Sequence, residues 1–442
     1  VSTDRAARLD RIAGLDAGLG AFVTLDRDGA AGPAAPHGPL AGWWLGIKDV
    51  IDVAGLPTLA QSRVESGDPA AADAVAVART RAAGAAVAGK TSTMEYAIGA
   101  PDPDGPFPVP RNPWDRDRWT GGSSSGSAAA VAAGMVRAAL GTDTGGSIRM
   151  PAAFCGVTGL KPSFGRVPNS GSRALAASAD TIGPMARTVR DCAVLLGVLA
   201  GPDDGDPDSA DRPVPDYAAE LERDVRGLRV GVWRPDAPWE APGLWTAYDE
   251  ALEVLGDLGC RPVPVEPPAY RRVLAAHRVT LRCESLAEHR ARLAERWDDY
   301  SPGFRESVAP GIYYTAADYL DAQRVRRAAV RELRGLFESV DVVVSPTASV
   351  TAPPVGSVSP GFERWMRHVH TGYWNSTGCP ALSVPMRPAA DGLPLGLQIA
   401  AAPFGESAVL RLGHAFQSRT GWHRAVPAHF FNTSVDDLGG GG

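Results

Sequence analysis

Residues Gly121–Ala152 read GGSSSGSAAAVAAGMVRAALGTDTGGSIRMPA. Two runs of small and hydroxyl residues, Gly121–Ser127 and Gly141–Ser147, enclose an alanine-rich segment that reads first as helix and then as strand. Glycines let a backbone approach a ligand and turn its N–H groups toward it. Ser123, Ser124, Ser125 and Ser147 supply candidate nucleophiles. A flexible Gly/Ser spacer does not enclose an apolar run, and Arg149 and Pro151 just after Ser147 mark a defined turn.

Outward from this stretch the chain alternates short apolar strands with helices. On the N-terminal side a helix is expected over residues 4–16 and a strand at 21–25; WWLGIKDVIDVAG (43–55) gives a buried strand-like run, followed by a helix from Asp73 to Ala83 and a strand running into Lys90. Residues 101–119 are proline-rich and aromatic, an ordered loop, and GVTGLKPSFGRVP (156–168) also reads as loop. A helix from Thr188 to Leu199 follows, then an acidic, proline-rich connection over 201–217. Beyond it come strand 228–233, helix 244–258, strand 261–266, a long helical stretch through about 335, strands 340–346, 381–385 and 395–401, and a helix from Glu406 to Gln417. Such alternation predicts an α/β fold with one large sheet. The expected organisation is one domain over 1–442, with 201–217 exposed, 218–335 a more variable helical part and 436–442 a flexible tail.

Composition sets bounds. A 442-residue chain that is 44 % hydrophobic and 21 % charged has ample core for a globular fold. Its net charge of −6 speaks against nucleic acid or an anionic membrane as partner, since both call for a basic footprint. No signal peptide or membrane span is read, and five cysteines without a CxxC pair point to a cytoplasmic chain without disulfides or zinc. Of 44 Lys plus Arg, only Lys48, Lys90 and Lys161 are lysine. Arginine stays charged in proteins and lysine need not, so a lysine kept against this bias is a candidate for work as a neutral amine.

Three chemistries compete. Gly84–Thr91 fits the phosphate-loop pattern GxxxxGK[ST], but helix precedes it and the strand lies inside it, the reverse of a phosphate loop. A Ser-His-Asp hydrolase has histidines available, among them His368, His370 and His414, but no GxSxG elbow. The third joins Lys48, Ser123 and Ser147: a desolvated lysine activates a serine, a second serine relays the proton, and consecutive N–H groups of Thr144, Gly145, Gly146 and Ser147 face an oxyanion. Acting near pH 7 requires the amine to lose about 3 pH units from its usual value near 10.4, roughly 4 kcal/mol against the ammonium.

The 32 residues from Gly121 to Ala152 resemble the amidase signature, and GIKDVIDVAG, GKTSTMEYA, RNPWD, AAFCGVTGLKPSFGRVP, ADTIGPMARTVRD, YLDAQRVRR, VDVVVSPT, TGCPALSVP and GLPLGLQIAAAPFGE are similar to further blocks of that family, in family order. The resemblance implies one large mixed β-sheet surrounded by helices and a Ser–cisSer–Lys triad. Ser147 is then the nucleophile, Ser123 the proton shuttle after a non-proline cis peptide, and Lys48 the base. Sequence chemistry alone leaves Ser124 and Ser125 open. Asp143 and Arg149 are expected to brace the nucleophile turn. The implied activity is hydrolysis of a carboxamide or related C–N bond (amide, anilide or carbamate) through an acyl-enzyme, with no metal or organic cofactor. The alternatives are the amidase subunit of a tRNA-dependent amidotransferase and a urea-derivative (allophanate or biuret-type) hydrolase. Expected partners are a small-molecule amide-type substrate, neither nucleic acid nor membrane, with a homodimer as an open assembly. Candidate pocket walls are Tyr96, Ala97, the 105–119 loop with Phe107 and Trp114, and Trp365, Tyr373 and Trp374.

Overall fold

A computed structural model describes residues 2–32, 35–358 and 362–428. The tail 436–442 lies outside them. Eleven strands form one sheet in the order β1-β3-β2-β6-β8-β7-β12-β13-β11-β9-β10. They are β1 (Phe22–Leu25), β2 (Trp44–Lys48), β3 (Ala86–Thr91), β6 (Ala138–Thr142), β7 (Thr158–Lys161), β8 (Ile182–Ala186), β9 (Arg229–Val232), β10 (Arg261–Pro264), β11 (Val342–Pro346), β12 (Ala381–Met386) and β13 (Leu395–Ala400), while β4 (Arg111–Asn112) and β5 (Asp115–Trp119) pair as a separate hairpin. The sheet is mixed. Strands β3, β2 and β6 run parallel, as do β11, β9 and β10, and antiparallel pairings join the two sets. Every residue of β6, β8, β11, β12 and β13 is buried, which is why these strands read as mostly apolar runs with no alternation.

The helices cover the sheet: α1 (Ser2–Asp16), α2 (Val75–Ala82), α3 (Ser125–Ala132), α4 (Arg149–Cys155), α5 (Val189–Leu199), α6 (Tyr217–Glu220), α7 (Leu244–Asp257), α8 (Tyr270–Glu295), α9 (Pro302–Val308), α10 (Ala316–Ser339), α11 (Phe362–Trp365), α12 (Gly372–Ser376) and α13 (Glu406–Thr420). Local chemistry sets several starts. Thr188 accepts a hydrogen bond from the Asp191 amide at the head of α5, and Thr315 with Asp318 forms a capping box on α10. Helix α3 is buried over its whole length, so its alanines serve close packing against β2, β3 and β6 rather than an amphipathic face.

Two sequence expectations change. Residues 158–161 form an interior strand between β8 and β12, although Gly, Pro and Ser dominate their surroundings. Pairing on both sides overrides the local loop signal. The 101–119 loop ends in the β4–β5 hairpin. By contrast, Gly84–Thr91 holds strand β3 itself, and a 3-10 turn, Glu95–Ala97, and the β4–β5 hairpin separate it from α3. It lacks the strand–loop–helix order of a phosphate loop. No residue from Pro202 to Asp216 is buried.

Candidate functional site

Lys48 and Thr142 are the last residues of the parallel neighbours β2 and β6. In α/β sheets the carboxyl ends of parallel strands are where loops converge to build sites. The loop from Thr120 to Ser124 passes over these ends and delivers Ser123, and the loop after β6 delivers Thr144–Ser147 ahead of α4.

The Lys48 ammonium is fully buried and donates to Ser123 Oγ at 2.6 Å, to Thr142 Oγ1 at 2.7 Å and to the Thr142 carbonyl at 3.4 Å. No carboxylate lies in ion-pair contact with it among the described residues. Burial lowers its pKa to about 7, against weaker opposing attraction from Asp143 and Asp180. The other two lysines are also buried. Lys90 pairs with Asp49 at 3.1 Å, and Lys161 donates to the Pro162 carbonyl with its pKa lowered to about 8 by burial. Among the described residues, Lys48 is the one lysine that hydrogen-bonds a serine.

The peptide bond between Gly122 and Ser123 is cis. The three consecutive serines have different surroundings. Ser123 meets Lys48, Ser124 exchanges hydrogen bonds with the Thr142 backbone, and Ser125 donates to the carbonyls of Ser92 and Ser123. The Ser124 amide donates to the Ser147 carbonyl at 3.0 Å, which stitches the two turns together. The Ser147 hydroxyl itself makes no hydrogen bond among the described residues. Gly145 and Ser147 are the half-buried points of an otherwise buried turn.

Asp143 holds that turn. Its carboxylate accepts from the amides of Gly146 (2.7 Å), Ile148 (3.1 Å) and Arg149 (3.3 Å), from the Arg149 guanidinium and from the Asn375 side chain. Burial alone would raise its pKa, but the Arg149 cation and the converging donors together outweigh that and hold it well below the usual carboxylate range. Arg149 reaches on to the Thr371 carbonyl, Gln398 Oε1 and Asn375 Oδ1. A buried ion pair of this kind is tolerable because nearly every donor and acceptor is met. Asp180, whose pKa burial raises to about 6, accepts from Thr144 Oγ1 at 2.6 Å.

The expected oxyanion donors fall into two groups. The Gly146 amide is taken up by Asp143, whereas the amides of Thr144, Gly145 and Ser147 have no acceptor among the described residues. Gly146 has φ +133°, and a Cβ there would lie 2.1 Å from Thr371 Oγ1, so only glycine fits.

Of the expected walls, Tyr96 is buried with its hydroxyl donating to Glu65, and Tyr373 and Trp374 pack into an apolar cluster with Val273 and Val343. Tyr96 and Ala97 both hold left-handed backbone, and Ala97 lines a cavity of about 270 Å³ with Thr142 and Asp180. Trp365 meets Trp119 and Phe154 edge to face and stacks on Phe362. Phe107 lines a separate cavity of about 340 Å³ with Ser125 and Trp119, and Trp114 donates to the Cys155 carbonyl. A larger cavity of about 700 Å³ has Gly145 in its wall, with Ile98, Leu274, His277, Leu281 and Met366. Sequence reasoning missed Thr142, Asp180, His277, Thr371, Asn375 and Gln398. Gln398, a polar residue inside the buried run LGLQIAA, carried the one visible signal.

The Amidase family model matches residues 7–410. The chain belongs to the amidase signature family. It is 41 % identical to a glutamyl-tRNA(Gln) amidotransferase subunit of Roseiflexus sp. (strain RS-1), across 95 % of this chain and 93 % of the relative. Among solved structures it is similar to the same subunit from Thermotoga maritima (31 % identity, TM-score 0.81, 95 % of this chain and 93 % of that one). It is also similar to the peptide amidase of Stenotrophomonas maltophilia (32 %, TM-score 0.81, 98 % and 95 %). The chain is therefore an amidase-family hydrolase of C–N bonds with the family's mixed sheet. Among the described residues no helix is long and apolar enough to cross a membrane.

These relatives overturn one expectation: a small-molecule amide-type substrate without nucleic acid, with a homodimer left open. Relatives this similar are named as subunits of an amidotransferase for a tRNA-borne glutamyl group. Net charge misleads here for a physical reason. It sums the surface of one chain, and a nucleic acid held by another subunit need leave no basic footprint on this one.

Proposed function

We propose that this chain is the amide-hydrolysing subunit of a tRNA-dependent amidotransferase, with Ser147 as nucleophile, Ser123 as proton relay and Lys48 as base. The observation that carries the chemistry is the 2.6 Å contact between a dry, weakly basic Lys48 and Ser123, in a loop stitched to the Ser147 turn. Similarity to the Roseiflexus amidotransferase subunit over nearly the whole chain supports the setting.

With Lys48 neutral, its lone pair accepts the Ser123 proton along the same contact. Ser123 then takes the Ser147 proton as Ser147 Oγ attacks the carbonyl carbon of a primary carboxamide. The free amides of Gly145 and Ser147, with Thr144 beside them, receive the developing oxyanion. Collapse breaks the C–N bond, the relay returns the proton to the leaving nitrogen, and ammonia departs. Water then cleaves the Ser147 ester and leaves the carboxylate. The ammonia is the nitrogen passed to the glutamyl group on the tRNA.

The 700 Å³ cavity beside Gly145, whose wall mixes apolar side chains with Arg271, Arg278, Arg282 and Arg367, favours by its size a second reading in which the chain cleaves bulkier amides by itself. One experiment separates the two. The full chain is purified from its source cells and assayed with glutamine and asparagine for ammonia release, and with glutamyl-tRNA for conversion. Co-purifying subunits with tRNA-dependent product, both lost in Ser147→Ala, is the expected result. A lone chain that turns over bulky amides and leaves glutamyl-tRNA unchanged would overturn the amidotransferase setting.

A further inference from the structure

Helix α8 lays one side chain against the Ser147 turn that the relay does not use. His277 is 5 % exposed, and neither ring nitrogen has a hydrogen-bond partner among the described residues. Leaving a buried polar group unmet costs about 1–3 kcal/mol, a penalty that a leucine or phenylalanine in the same space would not carry. Burial, reinforced by the Arg326 cation, lowers its pKa to about 3, so the ring is neutral and offers one donor and one acceptor.

Two glycines make the room it occupies. A Cβ on Gly145 would stand 3.2 Å from His277 Nε2, and one on Gly372 would stand 3.2 Å from Cδ2. The imidazole thus lies directly against the turn whose unpaired amides receive the oxyanion in the proposed mechanism. It also lines the 700 Å³ cavity, whose wall mixes apolar Ile98, Leu274, Leu281 and Met366 with charged Arg271, Arg278, Arg282, Glu363 and Arg367. Among the polar side chains of that wall, His277 is the one within 4 Å of a Cβ placed on Gly145.

We propose that His277 is a specificity-determining residue: its neutral ring hydrogen-bonds a polar group of the bound amide and selects carboxamides with an amino, carboxylate or second amide group near the scissile carbonyl over plain alkyl amides. This rests on Ser147 as the nucleophile. A site built around a hydrogen bond rejects analogues lacking the matching group, because its own polar atoms are then left unmet.

The test measures kcat and KM of the full chain for glutamine, glutaramate and pentanamide in the wild type, His277→Phe and His277→Asn, beside the rate of Ser147 labelling by a fluorophosphonate. His277→Phe is expected to lower kcat/KM for the polar amides about 10- to 100-fold, mainly through KM, and to leave pentanamide and labelling within about threefold. His277→Asn, which keeps a donor and an acceptor, should restore part of the loss. Equal losses on all three amides, no loss on any, or a wild type without preference for polar amides would each overturn the proposal. Labelled Ser147 with turnover of glutaramate but not glutamine counts against the amidotransferase reading alone, and His277 is then judged on glutaramate. Neither labelling nor turnover in the wild type sinks both.

Discussion

Lys48 shows how a single residue's surroundings set its chemistry. Three acceptors around a fully buried amine satisfy its protons, yet none carries a full charge, so desolvation dominates and the pKa falls to about 7. In the proposed relay the base must be neutral to work. Its neutral fraction grows as pH rises through 7, so kcat/KM for amide hydrolysis should climb about tenfold per pH unit below 7 and level off above it. A pH–rate profile checks this, and a rising limb centred beyond pH 9 would contradict it. Ser123→Ala should lower kcat by about 10²- to 10⁴-fold across the profile, the usual range for a lost proton-transfer partner. The rarity of lysine pointed to three candidates, Lys48, Lys90 and Lys161, from sequence alone. All three lysines prove fully buried, and the contact with Ser123 singles out Lys48.

At the scale of elements, the Ser147 turn is held by groups from three distant places. Asp143 and Arg149 come from the turn and the start of α4, Asn375 from α12 and Gln398 from β13. The first pair was legible because it lies inside the Gly121–Ala152 stretch. Asn375 and Gln398 were not, because 226 and 249 residues separate them from Arg149 and no local pattern encodes the pairing. The same holds for His277, which helix α8 brings to Gly145, and for β7, whose loop-like sequence becomes a strand only between its two neighbours. Conversely, Tyr373 and Trp374 looked like pocket walls from their position before TGCPALSVP, and packing absorbs them into the core. The tightness of this assembly gives a prediction. Gly146→Ala places a methyl against Thr371 Oγ1 on a backbone that disfavours side chains, so it should abolish amide hydrolysis and lower Tm. Calorimetry and an ammonia assay check both, and near-normal activity in the variant would contradict the described turn.

For the whole molecule, the sheet runs from β1 to β10 without interruption, and the triad candidates sit where its parallel strands β2 and β6 end. The mixed sheet with covering helices was readable from alternating strand and helix patterns and from the family blocks. The proposed setting was less legible, since a net charge of −6 describes the surface of this chain alone. The amidotransferase reading predicts that ammonia release by the purified chain rises when its partner subunits and glutamyl-tRNA are present. The most direct measurement concerns the nucleophile. The full chain is treated with a fluorophosphonate and mapped by peptide mass spectrometry. The account predicts one adduct, on Ser147, absent from Ser147→Ala and formed far more slowly in Lys48→Met. An adduct on Ser124 or Ser125, or labelling undiminished in Ser147→Ala, would contradict it.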